Sequence, residues 1–404
     1  MGKTILFPKG FLWGAATSSY QIEGSNTNNE WYIWERDSKT PQPCAKAVDS
    51  YNKFEEDFEL AKFLNHNAHR LSLEWSRIQP DQTHFDENEI GHYKKVISSL
   101  REKNIKAIVT LHHFTNPLWL YRSGCWLNPK SVDYFADYVN KVTGELSGLV
   151  DYWITINEPL VYIYNSYVRG IWPPQERSLN KARLVLENLI NAHLKAYKII
   201  HNNCSGAQVS IAKNLRIFSP CSAFNFGQNS IAASMRNKIF NFRLLDLLIK
   251  KRSMDFIGIN YYTKDFVKFS FANAFGKDCL SLHHKDRRNS LGWFVFPEGI
   301  FNILMRLKKF KLPIIITENG TTENEDFLYE DYLRKHLFYI SKAIEKGINV
   351  IGYLWWSLID NFEWERGYAA KFGLLSVDKD LNRQIKPFAY IYKEICTKNK
   401  IEYD

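Results

Sequence analysis

Glu158 and Glu318 are the residues around which chemistry can be built. Each ends an apolar run. Asp151 to Pro159 reads Asp-Tyr-Trp-Ile-Thr-Ile-Asn-Glu-Pro, and Leu312 to Gly320 reads Leu-Pro-Ile-Ile-Ile-Thr-Glu-Asn-Gly. A run that is apolar at successive rather than alternate positions suits a strand buried on both faces. Pro313 fits the start of such a strand, where a missing N–H costs least, and Gly320 ends it. A carboxylate at the tip of a buried strand needs partners or a task. One such Glu would read as a strand end facing solvent. Two of them meet the requirement of glycoside cleavage, which needs one acid near the leaving oxygen and one nucleophile below the sugar ring.

The remaining chain must bring the two tips together. It alternates apolar strands with amphipathic helices. Strands are expected at Phe11–Ala16, His69–Leu73, Ala107–Leu111, Tyr152–Asn157, Val209–Asn214, Phe256–Asn260, Ile314–Thr317 and Val350–Trp355. Helices are expected at Tyr51–Leu64, Glu89–Glu102, Val132–Leu146, Lys181–His201, Met235–Lys251, Glu298–Lys309, Glu330–Lys346 and Phe388–Cys396. In the first of these, Phe54, Phe58, Ala61 and Leu64 share one face. This alternation predicts an α/β fold, a (β/α)8 barrel. An open doubly wound sheet would carry a Gly-rich phosphate loop after its first strand, and the stretch from Gly14 to Tyr20 does not fit one. No Pro-, Gly- or Ser-rich linker divides the chain, so residues 1–404 are read as one domain. Gln21–Ser50 and Asp265–Gly292 read as long irregular loops at the catalytic face, and Arg216–Arg236, polar and rich in Ser and Asn, as mobile.

Composition narrows the partners. Aromatic residues make up 15% of the chain and gather near strand ends, where ring faces suit the C–H faces of sugars. The net charge of +10 raises nucleic acid as a partner, but the basic residues are scattered among acids and their clusters are short. A solvated basic surface is expected, with no nucleic-acid partner. No stretch approaches a membrane span, and the N-terminal apolar run is too short for a signal peptide. Six cysteines without a C-x-x-C pair read as reduced thiols of a cytoplasmic protein. Sequons occur at Asn203 and Asn319; a glycan on the latter would block Glu318, and both read as chance. His66 and His69 have a ligand-like spacing but no Cys or Asp beside them, so neither a metal nor another cofactor is expected.

In a barrel the site gathers at the C-terminal strand ends. There stand Gln21 and Glu23, Arg70, His112 and His113, Asn157 and Glu158, Asn260 to Tyr262, Glu318, Trp355 and Trp356, with Glu363 and Trp364 beyond. These residues lie in motifs that resemble glycoside hydrolase family 1, the β-glucosidase family. The motifs are Phe-Leu-Trp-Gly-Ala-Ala-Thr-Ser-Ser-Tyr-Gln-Ile-Glu-Gly (11–24), Arg-Leu-Ser-Leu-Glu-Trp-Ser-Arg-Ile (70–78), Thr-Leu-His-His-Phe (110–114), Thr-Ile-Asn-Glu-Pro (155–159), Asn-Tyr-Tyr-Thr (260–263), Thr-Glu-Asn-Gly (317–320) and Trp-Ser-Leu-Ile-Asp-Asn-Phe-Glu-Trp (356–364). They keep the family's order and span nearly the whole chain.

The resemblance implies a retaining exo-β-glycosidase acting on β-glucosides, with β-galactosides and β-fucosides also accepted. Glu318 matches the nucleophile and Glu158 the acid/base. Arg70 and Tyr262 match residues that hold the nucleophile ionised, with Asn157 beside the acid/base. Gln21, His113, Asn157, Asn260 and Glu363 look like the hydroxyl-binding set, Trp356 like the platform under the sugar, Trp364 like a further hydroxyl contact and Trp126 like a site wall. Relatives acting on 6-phosphorylated sugars typically carry Ser where Glu363 stands, so unphosphorylated sugars are expected; Lys371 and the basic loop keep a 6-phospho-β-glycosidase as the alternative. A non-catalytic carbohydrate-binding barrel is the other, although such relatives tend to lose a catalytic carboxylate and this chain keeps both. The chain departs from the family around Arg216–Lys238, where it is shorter, and at Gly124-Cys125-Trp126, where the family often has Gly-Gly-Trp. Leaving-group preference, oligomeric state and the balance of hydrolysis against transglycosylation are not encoded in any of these residues.

Overall fold

Eight parallel strands close on themselves in the computed structural model of the protein, which describes residues 3–37, 40–222, 226–271, 273–279, 286–323 and 329–403. They are β1 (Leu12–Ala16), β2 (Ala68–Ser72), β3 (Lys106–His112), β4 (Tyr152–Asn157), β5 (Gln208–Pro220), β6 (Ile257–Ser270), β7 (Ile314–Asn319) and β8 (Val350–Trp356). Each pairs with the next, and β8 pairs with β1, so the sheet is a closed barrel. Helices follow the strands in turn: α1 (Ser50–Phe63), α2 (Glu87–Glu102), α3 (Ser131–Leu146), α4 (Leu179–Asn203), α5 (Arg243–Lys250), α6 (Glu298–Leu307), α7 (Tyr329–Glu345) and α8 (Pro387–Lys398). The fold is the (β/α)8 barrel that the alternation predicts.

Local chemistry accounts for the elements. In α3, Phe135, Tyr138, Val139, Val142 and Leu146 are buried at helical spacing against the sheet. The Asp86 carboxylate accepts the N–H groups of Asn88 and Glu89 to start α2, and α8 begins with Pro387, whose missing N–H costs nothing in a first turn. Inside the barrel, Leu12, Ala68, Ile108, Ile154, Ala212, Phe256, Ile315 and Leu354 form one packed cluster, with seven of them on the strands and Phe256 immediately before β6. The outward side chains of the same strands, including Val109, Trp153, Ile211, Ile259, Ile316 and Tyr353, join the larger core under the helices. That double burial explains why the strands are apolar at successive positions. Gly320 ends β7 because a Cβ there would lie 2.0 Å from the carbonyl oxygen of Trp356.

Several expectations fail where β5 and β6 leave the barrel rim. β5 does not end at Asn214 and β6 does not end at Asn260. Both run past the rim as a parallel pair, with Ile217 opposite Lys264 and Pro220 opposite Val267. β6 then pairs with a strand at Asn273–Asp278, so 265–270 and 273–278 are sheet and not irregular loop, while 272 and 280–285 lie outside the described residues. Within 216–236, expected to be mobile, the described residues form the end of β5 and a helix, Phe226–Arg236. That helix packs Ala232 and Ala233 against Phe218 and Val267, and Asn229 Oδ1 accepts the N–H of Phe269 at 2.9 Å. The polar sequence masked an amphipathic helix whose buried face is small. The other long loop, 21–50, contains a helix, Glu30–Arg36, capped by Asn29.

The reading of six reduced thiols also needs correction. Cys221, just past β5, is bonded to Cys279, just past the strand paired to β6, while Cys44, Cys125, Cys204 and Cys396 are free and buried. The long strands bring the Cα atoms to 5.9 Å, a proximity that positions 58 residues apart do not reveal in sequence. A disulfide removes the ground for placing the protein in a reducing compartment. Among the described residues no helix is long and apolar enough to cross a membrane. Peptide mapping without reductant should recover a linked pair containing Cys221 and Cys279 and four alkylatable thiols. Cys221→Ser should lower the unfolding free energy in urea by about 2–4 kcal/mol. Six alkylatable thiols and an unchanged midpoint would contradict the bond.

Candidate active site

The two carboxylates owe their aim to bulges. In β4, Ile154 pairs with Ser210 and Asn157 with Ala212, three steps against two. In β7, Ile316 pairs with Ile259 and Glu318 with Asn260, two steps against one, and the pairing with β8 shows the same extra residue. Strict alternation from the interior Ile154 would turn Ile156 inward and Asn157 outward. The inserted residue reverses this, so that Asn157 faces in and Glu158 follows at the rim. Glu158 itself has a φ of 43° and caps the helix Pro159–Ile163. A non-glycine residue in the left-handed region is a strained position of the kind found at functional sites.

Glu318 is held at both oxygens. Oε1 accepts from Arg70 NH1 at 2.5 Å, and Oε2 accepts from the Tyr262 hydroxyl at 2.6 Å. Arg70 is fully buried on β2. Its Nε donates to Thr110 Oγ1 at 3.0 Å and its NH2 to Asn157 Oδ1 at 2.8 Å. Burial pushes the Glu318 carboxyl up to about 7; Arg70 opposes this, Glu158 adds to it, and the Tyr262 hydrogen bond opposes it. Burial, with Glu318 next, pushes the Tyr262 phenol well above its usual value, so Tyr262 keeps its proton and donates.

Glu158 is held by amides. Asn260 Nδ2 donates to its Oε1 at 2.8 Å and Asn214 Nδ2 at 3.1 Å. Asn260 is oriented in turn by Thr317, whose hydroxyl donates to its Oδ1 at 2.6 Å. The guanidinium and the phenol O–H on Glu318 favour the anion there. Glu158 has neutral amide donors instead, and both gather on one oxygen.

A second group of predicted site residues comprises Gln21, Glu363, His113, Trp356 and Trp364. Gln21 Nε2 donates to Phe362 O at 2.7 Å, to Asn361 Oδ1 at 3.1 Å and to Glu363 Oε2 at 3.3 Å. Burial pushes the Glu363 carboxyl up to about 8, with Glu365 and Glu318 adding to it. His113 stacks on Trp356 (centroids 6.0 Å apart, 22° between planes) and on Trp364 (6.2 Å, 17°). Asn157 Oδ1 already accepts from Arg70 and Asn260, so its amide N–H must point at His113 Nε2, 3.1 Å away. Burial and the Arg70 charge hold the imidazole neutral, well below its usual range. Nε2 is therefore the acceptor and Nδ1 carries the hydrogen. That Nδ1–H is buried and has no hydrogen-bond partner in the structure.

The structure thus brings together Gln21, Arg70, His113, Asn157, Glu158, Asn260, Tyr262, Glu318, Trp356, Glu363 and Trp364. It does not bring Trp126. That ring is fully buried against Trp75, His112 and Phe135, and its N–H goes to Asn116 Oδ1 at 2.9 Å. Trp126 packs behind β3 and has no face left for a ligand. Sequence reasoning missed Asn214, although it ends the apolar part of β5 as Asn157 ends β4. It also missed Thr110 and Thr317, whose hydroxyls orient Arg70 and Asn260 from inside strands that read as wholly structural. His66 and His69 lie outside the site; burial pushes each down to about 3, and the His69 ring nitrogen Nε2 is 3.2 Å from the Thr17 hydroxyl.

A protein-family model, "Glycosyl hydrolase family 1", matches residues 3–246 and 230–401. The chain is 32% identical to beta-glucosidase A of Acetivibrio thermocellus, over 98% of this chain and 99% of that protein. Among solved structures, a beta-glycosidase from Pyrococcus horikoshii superposes with a TM-score of 0.93 at 36% identity, covering 99% of this chain and 96% of that one. A family 1 b-glucosidase from Thermotoga maritima, in complex with isofagomine lactam, superposes at 0.91 with 30% identity, covering 99% and 100%. The motifs, the closed barrel with two carboxyls at its rim and these likenesses agree, and the chain belongs to glycosyl hydrolase family 1.

Proposed function

We propose that the protein is a retaining exo-β-glycosidase that hydrolyses β-glucosides, with β-galactosides and β-fucosides as further substrates. The observation that carries this reading is the asymmetry of the two carboxyls. Glu318 has a cation on one oxygen and a phenol O–H on the other. Glu158 has only neutral amides. Glu318 is the nucleophile: its oxygen attacks the anomeric carbon as the glycosidic C–O bond breaks and Glu158 gives its proton to the leaving oxygen. The glycosyl ester so formed carries no charge on Glu318, which frees Glu158 to hold a proton taken from water. That water attacks the anomeric carbon, the ester bond breaks and Glu318 is ionised again.

Binding follows from the residues beneath the pair. His113 Nδ1–H donates to one sugar hydroxyl, Gln21 and Glu363 take others, Trp356 presents its ring to the C–H face and Trp364 closes the base. Asn157 and Asn260 orient the catalytic pair. A base closed by Gln21, Glu363 and Trp364 leaves room for a terminal sugar and favours exo action. A phosphate on that sugar would meet Glu363 and Glu365 rather than a matched cation, which argues against the 6-phospho reading. Small β-glycosides or oligosaccharides are the substrates, and no cofactor takes part.

Glu363→Ser should lower kcat/KM on aryl β-glucosides about 10-fold, the loss expected for one buried hydrogen bond, without gain on 6-phosphorylated glucosides. Unchanged kinetics on every glycoside would take Glu363 out of the site.

Azide assigns the two catalytic roles. Glu318→Ala should lose turnover by at least on the order of 10^4-fold and open space on the lower face. Azide then attacks an activated β-glycoside once, inverts the centre and gives the α-glycosyl azide. Glu158→Ala should still form the ester from a good leaving group, and azide should release it with a second inversion as the β-glycosyl azide. The same anomer from both variants, or wild-type turnover in either, would refute the assignment.

A further inference from the structure

Glu74 lies two residues past β2 and immediately before the short helix Trp75–Ile78, a place where a carboxylate ordinarily accepts the first N–H groups of the helix. Its side chain accepts none of them. It is fully buried and is shared among three hydroxyls instead. Oε1 accepts from Ser76 at 2.8 Å and from Thr115 at 3.0 Å, and Oε2 accepts from Thr115 at 3.0 Å and from Ser19 at 3.0 Å. No Lys, Arg or His pairs with it among the described residues. Its own N–H donates to the hydroxyl of Tyr93 on α2 at 3.1 Å, which fixes its main chain.

The three hydroxyls stand in the segments that follow β1, β2 and β3. Ser19 opens the helix Ser19–Glu23, which carries Gln21. Thr115 lies two residues beyond His113, and Phe114 between them has a φ of 74°. A non-glycine residue in the left-handed region keeps its place only where its neighbours over-determine it. Two buried carboxylates do so here. Glu74 takes the Thr115 hydroxyl, and Glu30 takes the main-chain N–H of Asn116 at 2.7 Å and its side-chain amide at 2.6 Å. Of the two, Glu74 also reaches the Gln21 helix, through Ser19.

A buried carboxylate without a cation is costly, and a glutamine would fill the same space without the charge. Glutamine has one acceptor oxygen, however, and its NH2 group would face hydroxyls that themselves need an acceptor. Three hydroxyl donors converging on one side chain require both oxygens of a carboxylate. We propose that Glu74 is a positioning residue for sugar binding: its carboxylate ties the turn that carries His113 to the helix that carries Gln21, and so fixes the spacing of these two hydroxyl-binding side chains. This rests on the binding role given to His113 above.

The test measures kcat/KM on 4-nitrophenyl β-glucoside for variants that keep a cooperative melting transition above the assay temperature. Glu74→Gln and Thr115→Val should each lower it about 10-fold, the loss of one well-placed hydrogen bond to the sugar. Thr115→Ser keeps the hydroxyl and should stay close to the wild type. In a His113→Ala background, Glu74→Gln and Thr115→Val should each cost no more than about 2-fold, because a group that acts through His113 then has nothing left to place. Losses of equal size in both backgrounds overturn the proposal, as does an unchanged Glu74→Gln or a Thr115→Ser as impaired as Thr115→Val. If Glu74→Gln does not fold, Thr115→Val carries the same cycle, and failure of both to fold assigns the carboxylate to the fold and overturns the proposal too. His113→Ala with wild-type kinetics would overturn the binding role of His113 and this proposal together. An impaired His113→Ala with additive losses would overturn the role of Glu74 alone.

Discussion

The buried ion pair between Arg70 and Glu318 is the constraint on which the rest of the structure depends. Both side chains are almost wholly removed from water, at 0% and 6% exposure. Desolvating two charges costs several kcal/mol each, and their attraction offsets this only if the remaining donors and acceptors are met. Arg70 meets them with Thr110 from β3, Asn157 from β4 and Glu318 from β7, while its own chain is β2. Strands that stand apart in an open sheet cannot all reach one guanidinium. Closure of the barrel is what lets them, and the pair in turn fixes the facing ends of four strands.

The same low-dielectric environment gives the neighbouring groups their protonation. Burial, with a guanidinium beside His113, excludes a second cation, so the imidazole is neutral and its hydrogen is forced onto Nδ1, away from the Asn157 amide. The phenol of Tyr262 keeps its proton because the Glu318 carboxylate is already there to receive its hydrogen bond. Donors and acceptors around the pair are thus set by one another in sequence. Few of them have freedom to reorganise during a reaction, which is the condition for electrostatic catalysis.

Much of this was legible in the chain. Apolar runs ending in Glu158 and Glu318 located the site, because a strand buried on both faces has little reason to end in a carboxylate. The alternation of strand and helix gave the barrel. Other features were hidden for physical reasons. A bulge leaves no mark in composition, so the inward turn of Asn157 could not be read from Tyr-Trp-Ile-Thr-Ile-Asn. Trp126 carries a motif tryptophan, yet ring burial behind β3 is decided by what α3 packs beside it. The extension of β5 and β6 escaped notice because half-exposed polar strands look like loop, and the Cys221–Cys279 bond depends on that extension.

The overhang of β5 and β6 carries a consequence for how this enzyme changes over generations. Its height above the rim is held by main-chain hydrogen bonds from Ile217 to Pro220 on one strand and Lys264 to Val267 on the other. Those bonds are indifferent to side-chain identity. Substitutions along the ledge can therefore change its exposed surface while the scaffold beneath keeps its shape. The chain can thus vary that surface one residue at a time.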